Sequence, residues 1–127
     1  MKYGFSTTVS MDVDRAIERV TDELKKEGFG VLTTIDVQDT LKKKLDVQFK
    51  RYTILGACNP PFAHQALEAE EEIGLLLPCN VIVYDQGDRT TVAAFDPMIM
   101  STILEKPGIQ PIAEQVKQRL ERVIAAL

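Results

Sequence analysis

Val13, Ile17, Val20 and Leu24 lie four, three and four residues apart, so a helix through them presents one narrow apolar stripe. The residues between them are mostly charged. Such a helix is stable only when another element covers its stripe. The runs on either side suggest what that element is. In residues 2–10, Tyr3, Phe5, Thr7 and Val9 alternate with smaller or polar partners, and Gly30 to Asp36 alternates again. Both have the two-residue period of a strand, so the stripe is expected to lie on a sheet. Ser10 is read as the N-cap, with Asp12 and Asp14 in a first turn that favours negative charge. Lys25 and Lys26 close the helix and Gly28 stops it.

Further elements follow by the same reasoning. Val37, Leu41 and Leu45 predict a short helix whose polar side carries Lys42, Lys43 and Lys44. Arg51 to Cys58 is apolar and β-rich, as expected of a strand buried on both faces. Asn59-Pro60-Pro61 starts a helix, since asparagine caps well and proline at the first position loses no available bond. That helix is expected to carry Ala63, Ala66, Leu67, Ile73 and Leu77 toward the core. Val81–Tyr84 and Thr90–Phe95 flank a turn containing Gly87, which predicts a hairpin. Asp96-Pro97 opens a short helical segment with Met98, Met100 and Ile103, and Pro107-Gly108 breaks the chain. A last helix carries Ile112, Val116, Leu120, Val123 and Leu127. The expected fold is α+β: a single antiparallel or mixed sheet of about five strands packed against helices. Its outline is β-α-β-α-β-β-α, with a further helix between the third strand and the hairpin.

The 127 residues fit a single domain spanning 1–127. Fifteen basic and nineteen acidic residues leave a net charge of −4, which argues against nucleic acid as a partner. The N-terminal run lacks the apolar core of a secretory signal, and no apolar stretch approaches the ~20 residues needed to span a bilayer. Two cysteines in such a chain are expected to be reduced thiols. The expected location is the cytoplasm.

Two stretches carry a resemblance to a known family. They are Leu55-Gly56-Ala57-Cys58-Asn59-Pro60-Pro61 and Ile73-Gly74-Leu75-Leu76-Leu77-Pro78-Cys79-Asn80-Val81-Ile82-Val83-Tyr84. Paired Cys-Asn dipeptides beside prolines at this separation are unusual. The chain resembles the bacterial and archaeal family catalogued as domain of unknown function 302. The resemblance implies a compact fold similar in shape to half of the TATA-binding-protein fold, and a homodimer. It implies no activity, substrate or cofactor.

Chemistry-bearing residues are few. Cys58, His64 and Cys79 are soft-metal ligand types, and the single histidine lies six residues beyond the first cysteine. Zinc or another soft metal is therefore a candidate cofactor, though nothing in the sequence requires one. A regular parallel crossover between the two strands would place the cysteines at opposite ends of the sheet and make both structural. Cys58 alone precedes a helix N-terminus, where a thiolate is favoured. Asn59 and Asn80 are further ligand-binding candidates, although such residues more often satisfy turns and caps. Met98, Ile99 and Met100 suit either an apolar pocket or core filling. Glu68, Glu70, Glu71 and Glu72 oppose the dipole if they end one long helix and read first as a solvated acidic face; the alternative is that they pair with the basic group Lys42, Lys43, Lys44, Lys50 and Arg51 across a two-fold dimer. The expected function is a small dimeric domain that binds a small molecule or a protein partner, with thiol-dependent metal handling or redox work as the alternative.

Overall fold

Asp12, not Ser10, caps the first helix: its Oδ1 accepts from the Arg15 N–H at 2.8 Å. Ser10 and Met11 form the bend that carries the chain out of the preceding strand. The computed structural model describes residues 2–127. In chain order its elements are β1 (Gly4–Val9), α1 (Val13–Lys26), β2 (Gly30–Asp36), α2 (Val37–Leu45), β3 (Tyr52–Cys58) and α3 (Pro60–Ala69). A 3-10 helix (Glu71–Leu76) comes next, then β4 (Cys79–Asp85), β5 (Thr90–Phe95), α4 (Met98–Ile103) and α5 (Ile109–Ala125). Gly28 has φ +86, the left-handed conformation that the predicted stop requires.

The five strands form one antiparallel sheet in the order β1-β5-β4-β3-β2. The first two strands of the chain are thus its two edges, and α1 joins them across the whole sheet. Four inter-strand spacings come to about 19 Å. A 14-residue helix is about 21 Å long, so α1 matches the width it crosses.

Both α1 and α5 lie on one face. Val20 and Leu24 of α1 and Leu120 and Val123 of α5 bury against Leu55, Val81, Val83 and Val92 of the central strands. On the opposite pleat Tyr52, Ile54, Ile82, Tyr84 and Phe95 are half-buried, Thr91 and Ala93 are buried and Asn80 is exposed. The expectation that β3 is buried on both faces is thus corrected: Thr53, Leu55 and Ala57 are buried, whereas Tyr52 and Ile54 keep part of their surface. The run reads as apolar throughout because the open face of the sheet is apolar too.

The long helix expected after Asn59 is instead two. Glu70, at φ −151 and ψ 106, breaks the chain between α3 and the 3-10 helix. Glu71 and Glu72 consequently start a helix, where negative charge is favoured. The neighbouring charges pair within the chain: Glu70 with Lys106, Lys42 with Asp46, Lys43 with Asp39 and Arg51 with Asp14.

Candidate functional site

The return of the chain between β3 and β4 creates the site. Ten residues of α3 span about 15 Å at 1.5 Å each. Six residues of 3-10 helix span about 12 Å at 2.0 Å each, enough to bring the chain back. β4 therefore starts beside the end of β3 and runs antiparallel to it, with Ala57 opposite Cys79. The parallel crossover that would part the two cysteines does not occur. Cys58 and Cys79 lie at the same end of the sheet.

Both thiols line a cavity of about 280 Å³. Its floor is the strand end, with Ala57, Cys58, Pro78 and Cys79; Leu32, which bulges out of β2, forms one side. Helix α3 supplies Phe62, Ala63, Ala66 and Leu67, α5 supplies Ile112 and Val116, and α4 supplies Met100. Apart from the thiols, the only polar side chain among these walls is that of Asn59, and no wall residue is charged.

Asn59 is held from behind. It is 7% exposed, and its Nδ2 donates to the Glu27 carbonyl at 3.1 Å. A Cβ at Gly28 would sit 3.2 Å from that nitrogen, so the left-handed turn also makes room for the amide. Arg119 Nη1 donates to the same carbonyl at 3.2 Å while its guanidinium lies 5.3 Å from the Phe62 ring. Asn59 is the residue before α3, yet its side chain makes no capping hydrogen bond. Pro61 removes one of the two N–H groups that a cap would serve, leaving only that of Phe62.

Of the sequence candidates, Cys58, Asn59 and Cys79 come together and the other two do not. His64 is exposed on α3, its Nε2 3.0 Å from Glu68 Oε1. Asn80 lies on the open face of the sheet, opposite Gly56. Among the described residues, no group of three His, Cys, Asp or Glu side chains is placed to hold a metal ion. Met100, read from the sequence as pocket or core, is a buried core residue that also borders the cavity, whereas Phe62 and Leu32 were not singled out. The bulge that sets the largely exposed Leu32 at the rim of the cavity has no glycine or proline to announce it.

Both cysteines are free thiols. Burial pushes the Cys79 thiol up to about 11, with a smaller contribution from the charge of Cys58. The unfolded chain loses this proton near the ordinary value of 9.0, while the folded chain holds it until about 11. The unfolded state then binds fewer protons than the native state, so stability falls as pH rises through that window. The expected loss is on the order of 2 kcal/mol relative to a Cys79→Ala variant, read by urea unfolding on either side of the window. Parallel pH profiles for the two proteins would contradict the buried thiol.

The second depression of interest, about 230 Å³, opens on the other face of the sheet beside Tyr52, Ile82, Ala93 and Phe95. Tyr52 stacks on Tyr84 with centroids 5.3 Å apart, and Lys50 Nζ lies 5.0 Å from the Tyr84 ring. No helix is long and apolar enough to cross a membrane.

Residues 5–127 match the family profile described as "Domain of unknown function DUF302". The crystal structure of an uncharacterized conserved protein DUF302 from Bacillus stearothermophilus superimposes with a TM-score of 0.90. Its sequence is 29% identical, and the alignment covers 98% of each chain. No curated protein matches.

Proposed function

The chain belongs to the DUF302 family, and on that premise we propose that it is a dimeric cytoplasmic domain that binds a small apolar molecule. The observation that carries this reading is the cavity beside the paired ends of β3 and β4. Its walls are aliphatic and aromatic with a few polar groups, the usual make-up of a small-molecule site. An apolar cavity of about 150 Å³ holds benzene, so 280 Å³ suits a molecule of two fused rings.

The dimer is inferred from the other face of the sheet. Ile54 and Ile82 lie at the middle of an apolar band, with the stacked Tyr52–Tyr84 pair at one end and Phe95, partly packed on the cluster around Met100, at the other; apolar and aromatic side chains of this kind suit an interface core. A second copy supplies the same band by two-fold symmetry. Cytoplasmic residence is supported by the two unbridged thiols.

Calorimetric titration with naphthalene tests the cavity. Binding is expected in the wild type and a loss of at least tenfold in Ala63→Phe, which places a ring inside the wall at a half-exposed position. Unchanged affinity in a folded Ala63→Phe protein would locate the ligand elsewhere.

The thiol reading has one observation in its favour, the sharing of one cavity by Cys58 and Cys79. The two readings part on a Cys58→Ser, Cys79→Ser double variant. A binding site for an apolar molecule keeps its naphthalene affinity, whereas thiol-dependent zinc or soft-metal handling disappears.

A further inference from the structure

The walls of the cavity restrict the chemistry of what can enter. None of them carries a charge, so an ionic ligand would be buried without a counter-ion at a cost of several kcal/mol. The Cys79 thiol stays protonated at neutral pH and offers no charge either. A neutral ligand is required.

Asn59 adds a second restriction. An amide has one donor end and one acceptor end, and the Glu27 carbonyl can only take the donor. The amide is therefore fixed with Nδ2 toward Glu27 and Oδ1 turned away from it. The natural customer for that oxygen, the start of α3, is not bonded to it, and two of the three nearest backbone positions are prolines. No protein group donates to Oδ1, and it is not a sealed orphan: among the described residues only Arg119 Nε is a fully buried side-chain polar atom without a partner, so Oδ1 keeps accessible surface on a residue that lines the cavity. Resting on the cavity reading above, we propose that the ligand is a neutral, apolar molecule of about two fused rings bearing a hydrogen-bond donor, such as a hydroxyl, that Asn59 Oδ1 accepts.

Two probes of nearly equal shape test the donor. 2-Naphthol carries an O–H where 2-fluoronaphthalene carries a fluorine that cannot donate. The hydroxyl costs more to dehydrate, so without a partner the naphthol binds more weakly. With Asn59 as partner, wild-type protein is expected to bind 2-naphthol about tenfold more tightly than 2-fluoronaphthalene. In Asn59→Ala the preference for 2-naphthol over 2-fluoronaphthalene is expected to vanish, whatever the absolute affinity of either probe. Equal or reversed preference in the wild type overturns the donor assignment and leaves the cavity reading standing, and it needs no variant. Retention of the preference in Asn59→Ala also overturns it. Failure of naphthalene, 2-naphthol and 2-fluoronaphthalene alike removes the cavity reading, and the donor assignment falls with it.

Discussion

Replacing Gly56 by alanine is expected to destabilise the domain by about 2–3 kcal/mol, the upper part of the roughly 1–3 kcal/mol that overpacked interiors cost. Gly56 lies in β3 between Thr33 of β2 and Asn80 of β4. A Cβ there would sit 2.3 Å from Thr33 Oγ1 and 2.9 Å from Pro78 Cγ. The threonine hydroxyl is at the edge of the sheet and can rotate away. The proline ring cannot, because it is tied into the approach to β4. Space, not backbone conformation, demands the glycine, since its φ is not in the left-handed region. A Thr33→Ala change in the Gly56→Ala background is expected to recover the portion due to the hydroxyl and leave the portion due to Pro78. For a domain of this size, the single variant should melt roughly 10 °C lower by calorimetry. A melting point within a degree or two of wild type would show that the strand end yields easily. The cavity wall formed by Pro78 and Cys79 would then be soft.

Ile82→Asp is expected to weaken self-association at least 100-fold, or roughly 2.7 kcal/mol. Ile82 is half-buried on the open face, next to Tyr52 and Ala93 in the shallow depression there. On the proposed two-fold pairing, an aspartate would face its own copy or be buried in an apolar band, and either is costly. The substitution leaves the helix-covered core untouched, so the far-ultraviolet circular dichroism spectrum should not change. Sedimentation velocity distinguishes the outcomes: a dimer for wild type and a monomer for Ile82→Asp support the sheet-face pairing. A variant that still sediments as a dimer would move the interface to another surface.

Elements with punctuated ends were legible from the sequence. Gly30 to Asp36 and the helix from Val37 to Leu45 occur with the expected limits, because Asp36 ends one and caps the other. A single sheet of about five strands and the closing helix were legible too, whereas the choice between an antiparallel and a mixed sheet stayed open until the pairings were seen. What stayed hidden was the break at Glu70. Ala66 and Ile73 are seven residues apart, which suits one continuous helix, and neither glycine nor proline marks the turn between them. That break decides the site, since it reverses the chain and sets Cys79 beside Cys58. Asn59 could be named from the sequence as a ligand candidate, but its commitment to the Glu27 carbonyl could not. Such a contact joins residues 32 positions apart and leaves no local pattern.

The sheet order has a consequence for how the protein comes to be made. β1 pairs only with β5, Gly4 opposite Phe95, so the earliest strand of this sheet has no partner until its last strand is available. Closing so long a loop is costly in entropy and slow compared with the neighbouring pairings of β3, β4 and β5. Until then β1 is an unpaired strand tethered to α1, whose stripe can already lie on β2, β3 and β4. The last seam to close is therefore the one at the N-terminal edge, on the side of the sheet away from β3 and the cavity.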